Sequence, residues 1–407
     1  MRILIVSQTY SAGNGQASFT IHLAESMAQL GHQVMVMEPA QSMHASSHTQ
    51  NGVRVEMIPA LHASIFHPEI YITPFPTAYI RKLMLEFQPE VVHIQDHYFL
   101  CSAAVNEARK LHVPVMGTNH FLPENLLPFL RKFPKLQHLF TLPLWKMMLT
   151  VFNKLDVATT PSQTAARILR KQKIHIPVHA ISNGVDTLRF HPDPQVDRVG
   201  IRRKYNLATD KSIVLYVGRL DGEKRLDTLL EAVALLPRND FQLAIAGHGR
   251  YEQLLRKQMQ TLGLEERVAF IGFVDPEDLP ALYNSADVFV MPSPEELQSI
   301  ATLEAMACGK PVLAADARAL PELVSPGVNG YLFRACDAED AARHMDQLLN
   351  ARINWARMGQ AGFERAQTHS LQNTIKHFED YYETITEKLP IASGNTTVRR
   401  RVANKTI

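Results

Sequence analysis

A chain of 407 residues, 46% apolar and 20% charged, is too long for one ordinary core and has the balance of a globular protein in two domains. Its formal net charge of +2 gives no global reason to expect nucleic acid as a partner. The three cysteines, Cys101, Cys308 and Cys336, form no CxxC pair, which argues against a disulfide scaffold or a zinc site and for a reducing compartment, expected to be the cytoplasm.

The N-terminal "MRILIVSQTY" holds an apolar run too short for a secretory leader, and no apolar span of about 18 residues follows, so no crossing of a membrane is expected. Short continuous apolar runs at "RILIVS", "QVMVME", "VRVEMI", "VVHIQ", "VPVMGT", "VATT" and "VHAIS" read as buried parallel strands. Between them lie helical patterns, among them "SFTIHLAESMAQL", closed by Gly31, and "SQTAARILRKQK", opened by Ser162. After the first strand, "SAGNGQASF" sets Gly13 and Gly15 ahead of a helix expected to open near Ser18. That is a tight turn or a phosphate approach, but not the GxGxxG fingerprint of a nicotinamide enzyme.

"HIQDHYFL" puts His93, Asp96 and His97 at a strand end expected to face the cleft. Three candidates without a fourth make a poor metal site, so Asp96 and His97 are read as acceptor-side polar groups. His120 directly follows the strand of "GTNHFLPENLLPFL". Residues 125–155 lack acidic side chains and interleave Arg131, Lys132, Lys135, Lys146 and Lys154 with Phe129, Phe133, Phe140, Trp145 and Phe152. Such a segment suits either a membrane interface or packing on a sheet. The joint between domains falls in "IPVHAISNGVDTLRFHPDPQVD", where Gly184 and three prolines interrupt both periodicities.

The second half repeats the theme with "SIVLYVG", "QLAIAG", "VAFIG", "VFVM" and "PVLAA", alternating with helices such as "RLDTLLEAVALL". The fold class is therefore α/β, with two doubly wound Rossmann-like units facing each other across a cleft. Domains are expected at 1–186 and 187–370, with a helix at 371–390 packing back toward the first and a disordered tail at 391–407. Arg219 and Lys224 follow the first strand of the second unit, where a guanidinium and an ammonium suit a departing diphosphate. Gly247 closes the next strand. Ser299 and Ile300 open a helix whose N–H groups suit a phosphate, and Glu296 and Glu304, eight residues apart, suit hydroxyls of one ligand.

On "GRLDGEKRLDTLLEA", "AGHGR", "LPALYNSADVFVMPS", the E-x7-E pair, "EAMACGKPV" and "GVNGYLF", nearly the whole chain resembles the retaining glycosyltransferases of family four, with their GT-B architecture. The resemblance implies transfer of a hexose from UDP or GDP with retention of the α configuration, without a metal or other cofactor. It implies that Arg219 and Lys224 clamp the donor diphosphate, Glu304 binds the ribose, Glu296 lies over the donor sugar, and Gly15 lies near donor phosphate and sugar. His120 stands at the position of the family's T-x-H, near the reacting centre. Leu297 and Ser299 depart from the family's two glycines in this loop, while Gln298 is similar to an E-x-Q variant in its diacylglycerol glucosyltransferases. The leading expectation is hexosyl transfer to a membrane lipid, diacylglycerol or a glycolipid, by a cytoplasmic enzyme at the inner membrane face. The alternatives are a soluble saccharide or sugar-phosphate acceptor and a non-catalytic nucleotide-sugar-binding module.

Overall fold

The computed structural model describes residues 1–10, 15–62, 71–123 and 134–388, with side chains from 139 onward in the helix that begins at 134. The predicted tail at 391–407 and residues 125–133 of the basic, aromatic segment lie outside the described residues. The first half runs β1 (Arg2–Val6), α1 (Gly15–Gln29), β2 (Gln33–Pro39), β3 (Ser46–Gln50), β4 (Val53–Ile58), β5 (Leu61–His62), β6 (Tyr71–Ile72), α2 (Thr77–Phe87), β7 (Val91–Ile94), α3 (Phe99–Lys110), β8 (Val115–Thr118), α4 (Pro134–Phe152), β9 (Val157–Thr160), α5 (Gln163–Arg170) and β10 (Val178–Ala180). Apart from the small β5–β6 pair, these strands form one sheet in the order β10-β9-β8-β7-β1-β2-β4-β3, parallel except where β3 meets β4.

The second half runs α6 (Arg198–Lys204), β11 (Ser212–Val217), α7 (Leu226–Leu235), β12 (Phe241–Ala246), α8 (Glu252–Thr261), β13 (Val268–Gly272), α9 (Leu279–Ser285), β14 (Val288–Met291), α10 (Ile300–Ala307), β15 (Val312–Asp316), α11 (Leu320–Leu323), β16 (Gly330–Arg334), α12 (Ala338–Asn350), α13 (Trp355–Thr368) and α14 (Leu371–Lys388). Its sheet is wholly parallel, in the order β13-β12-β11-β14-β15-β16.

Strands covered on both faces must be apolar on both, and β1 shows the consequence. Ile3 and Ile5 join one hydrophobic cluster while Leu4 and Val6 join the other, all four fully buried. The last helix follows the second sheet in sequence but packs on the first. Ile375, Phe378, Tyr382 and Ile385, spaced as one helical stripe, enter the cluster of Ile3 and Ile5.

Strand order reverses beside β1, between β2 and β7, and beside β11, between β12 and β14. Ligands of open α/β sheets bind at the carboxyl ends of strands at such switch points. The loops after β1, β7, β11 and β14 are therefore where chemistry is to be sought. Two local expectations change. The helix after β1 begins at Gly15 rather than near Ser18. His93 does not face the cleft: it is fully buried within β7, bonded through Nδ1 to the Tyr382 hydroxyl and through Nε2 to Thr118 Oγ1, each at 2.7 Å.

Candidate active site

Beyond the carboxyl ends of β11 and β14 the polar side chains form ion pairs. The half-exposed Arg219 donates to Asp221 at 2.7 Å and to Glu223 at 2.8 Å. Lys224 ends a single 3-10 turn, Gly222–Lys224, and its Nζ lies 2.6 Å from Glu296 Oε1 in the loop after β14. Gly247 has φ +121°, and a Cβ there would fall on the Gly218 carbonyl oxygen. Its N–H donates to the Gly272 carbonyl at 2.7 Å, so this glycine lets two strand-end loops approach and does not itself offer an N–H to a ligand.

Ser299 is the N-cap of α10, accepting the Thr302 N–H at 3.3 Å and sharing a hydrogen bond with the Thr302 hydroxyl. The first N–H groups of an α-helix have no partner within it, which leaves this end, with Ile300, suited to an anion. One turn on, Glu304 accepts the Tyr283 hydroxyl at 2.8 Å, and burial pushes its carboxyl up to about 7. Tyr283 is a partner that sequence reading missed, because a tyrosine inside "LPALYNSADV" carries no sign of which side chain it meets.

The first sheet presents a different surface. Asp96 is buried and accepts two backbone N–H groups, from Gln8 at 2.7 Å and Tyr98 at 3.0 Å, while burial raises its pKa. It shapes the loop after β7 and is not an open acceptor group, which corrects its sequence assignment. His97 is buried in a stack with Tyr98 and Phe121 at centroid distances of 4.7 and 5.5 Å, and burial lowers its pKa to about 4. His120 Nε2 pairs with Gln95 Oε1 at 2.9 Å, its ring 5.1 Å from Phe19, and burial holds it at about 3, a neutral ring near pH 7. Gln16 at the start of α1 donates to the Gln95 carbonyl at 3.1 Å. Gln95 and Gln16 also escaped the sequence reading.

The two sides meet at the loop that precedes α10. An ideal Cβ on Gly15 would stand 3.8 Å from Ile300 Cδ1 across the cleft. Leu297, 6% exposed, belongs to the hydrophobic cluster of the first sheet. Gln298 donates to Ser182 Oγ at 2.7 Å and accepts the Asn183 N–H at 2.9 Å. Beside it a crevice of about 130 Å³ lies between the halves, and Glu322 of α11 accepts the Gln163 N–H at the start of α5, at 3.0 Å. The structure thus brings Gly15, Lys224, Glu296, Ser299 and Ile300 around one loop. A second concavity of about 600 Å³, lined by Arg238, Glu339 and Asp346, shares no residue with this site.

In the basic, aromatic segment, Trp145 and Phe152 are buried core residues, the outcome expected of packing on the sheet rather than of a membrane interface. Leu139, Phe140, Leu142 and Met147 of α4 are exposed, and Lys146 lies among them. No helix among the described residues is long and apolar enough to cross a membrane. Nor do three His, Cys, Asp or Glu side chains converge there as metal ligands would.

The sequence profile described as Glycosyltransferase Family 4 matches residues 13–189, and that described as Glycosyl transferases group 1 matches residues 197–365. A GDP-mannose-dependent alpha-mannosyltransferase of Corynebacterium glutamicum is 26% identical over 406 residues, covering 96% of this chain and 91% of its own. An alpha-monoglucosyldiacylglycerol synthase of Streptococcus pneumoniae is 26% identical over 257 residues, 62% of this chain and 57% of that one. The solved structure of sucrose-phosphate synthase from Thermosynechococcus elongatus superposes with a TM-score of 0.78 at 21% identity, over 95% of this chain and 100% of that chain, and shares the GT-B fold.

Proposed function

The chain belongs to the family 4 glycosyltransferases, and from that membership we propose that it moves a hexose from UDP or GDP to a hydroxyl of a membrane lipid, with retention at the anomeric carbon. The observation that carries the donor half of this reading is the meeting of Lys224, Glu296 and the N-terminus of α10 at the switch point of the second sheet, opposite Gly15. In it the diphosphate replaces Glu296 as the partner of Lys224, with Arg219 adding a second cation. The negative charge that grows on the departing diphosphate is then met by Lys224, Arg219 and the N–H groups of Ser299 and Ile300. Released from Lys224, Glu296 accepts hydroxyls of the donor sugar, while Glu304 accepts those of the ribose. In this reading His120, neutral and oriented by Gln95, serves the reacting centre from the opposite wall. No carboxylate is assigned as a nucleophile.

The lipid acceptor is supported by α4, where four exposed apolar side chains surround Lys146 as an interfacial helix requires. The similarity to a monoglucosyldiacylglycerol synthase points the same way. The test is incubation with radiolabelled UDP- and GDP-hexoses and mixed lipids, followed by phase partition. Label in the organic phase with one nucleotide is expected. Label that stays aqueous and moves only to a soluble sugar would overturn the lipid acceptor and leave the donor chemistry standing.

A further inference from the structure

The first N–H groups of α5 need partners from outside the helix. Ser162 supplies one, accepting the Ala165 N–H at 3.1 Å. The other two come to a single side chain of the opposite half. Glu322 of α11 accepts the Gln163 N–H through Oε2 at 3.0 Å and the Thr164 N–H through Oε1 at 2.5 Å. Arg167, one turn on, lies 3.8 Å from the same carboxylate. A carboxylate placed there also meets the positive end of the helix dipole. The bridge is therefore a charge-assisted, two-point contact that neither half makes alone.

α11 is what aims it. Leu320 and Leu323 are buried in the core of the second half, and Arg365 of α13 donates to the Glu322 carbonyl at 2.8 Å. Three residues before Glu322, the Ala319 N–H donates to the backbone carbonyl of Glu296 at 3.1 Å, and the Glu322 N–H returns to the Ala319 carbonyl at 3.0 Å. One turn of chain thus holds Glu296 at one end and α5 at the other. Glu322 and Gln298 both line the crevice of about 130 Å³ between the halves. Polar bridges of this kind can part at a small net cost, with water taking the place of each lost partner.

We infer that Glu322 is a positioning residue for transfer: by capping α5 it fastens the first half at the distance from Glu296 at which the donor and acceptor sides meet. The inference rests on the glycosyl-transfer reading above, since only a reaction shared between the halves is sensitive to their spacing. Both oxygens of Glu322 are occupied by main-chain N–H groups, so it acts through that spacing and not on the substrate. Donor binding, read almost wholly onto the second half, survives without the bridge. Turnover, which needs both halves, does not.

Glu322→Ala removes the bridge from one side. Gln163→Pro removes one of its two donors from the other side and keeps the helix, because proline suits the first helical position and Ser162 before it is already extended, at φ −147° and ψ 162°. With labelled UDP- or GDP-hexose and both lipids and soluble sugars as acceptors, Glu322→Ala is expected to lower kcat about tenfold with nucleotide Kd within about twofold, and Gln163→Pro to lower kcat about threefold. The double variant should match Glu322→Ala alone, because the proline then removes nothing that is left. A merely structural role would lower the melting temperature and leave the kcat of the folded protein unchanged. Small-angle scattering of the free protein, with UDP and with GDP should show Glu322→Ala less compact than the parent in at least one of these states. An unchanged kcat, losses that multiply in the double variant, a Kd that weakens in step with kcat, or identical scattering in every state would each overturn the inference. A parent that transfers no hexose overturns the reading beneath it, and the scattering comparison then still decides whether Glu322 fastens the halves.

Discussion

Beyond β11 and β14 the polar side chains are charged and paired within the chain, Lys224 with Glu296 and Arg219 with Asp221 and Glu223. Beyond β1, β7 and β8 they are uncharged apart from Asp96, which is held by backbone N–H groups, and several have no partner. The contrast follows from the cost of burying each kind of group. An unpaired buried charge is far costlier than an unpaired amide, so a wall built for a diphosphate keeps its cations on carboxylates that the ligand displaces. The largest effect expected from this difference is that of Lys224→Ala, which removes a cation from the departing diphosphate. A loss of about 10²–10³ in kcat is predicted, larger than the loss of nucleotide affinity. Steady-state kinetics set beside calorimetric titration checks it, and equal losses would reduce Lys224 to ground-state binding.

Glu304 sharpens the comparison because it is the buried acid of the charged wall. Its folded pKa, about 7, lies above the ordinary carboxylate range, so its contribution to stability is present at acid pH and is lost as pH rises through about 7. Nucleotide binding is expected to run the opposite way, since the ionised carboxylate accepts ribose hydroxyls. Affinity should rise about tenfold between pH 6 and pH 8, in step with the ionised fraction. Glu304→Gln should flatten that profile, and an unchanged profile in titrations at the two pH values would remove Glu304 from the ribose site.

Gln298 joins the two walls. Gln298→Ala deletes both hydrogen bonds and leaves the half-buried Asn183 N–H without its partner, while Ser182 Oγ keeps the Gly184 N–H, at a cost of about 1 kcal/mol. The melting temperature should fall by about 2–4 °C for each kcal/mol, and scattering should show a more open pair of domains. A variant that melts and scatters like the parent would mean that Leu297 and Glu322 hold the halves together without it.

Much of the fold was legible because parallel strands buried on both faces read as continuous apolar runs. β3 was not, since "SSHTQ" is exposed throughout and pairs at the sheet edge through its backbone, with the Ser47 hydroxyl donating to Glu56. β16 was quoted as a motif and missed as a strand. In the site, the charged wall was legible because Arg219, Lys224, Glu296 and Glu304 stand out at strand ends. The neutral wall was not: Gln95 and Asn119 stand out by their buried amide nitrogens without partners, and burial is a property of packing that no spacing reveals. Asp96 misled for the same reason, since a carboxylate at a strand end serves a loop's N–H groups as readily as a ligand.

The smallest effect concerns Ser299, where both walls and the helix meet. Its φ of +117° with ψ of 91° lies outside the regions a residue with a Cβ adopts at ease, while glycine tolerates it. The serine is kept in place by what its hydroxyl does, capping α10 and bonding Thr302. Ser299→Gly would relieve strain of about 1–3 kcal/mol and lose a cap for which glycine substitutes at a cost of a few tenths. The balance favours glycine, so the melting temperature is expected to rise by a few degrees, with nucleotide affinity within about twofold because the N–H groups of α10 remain. A lower melting temperature in calorimetry would mean that the bond to Thr302 outweighs the backbone strain. The serine would then stabilise the loop by which the charged wall is joined to the neutral one.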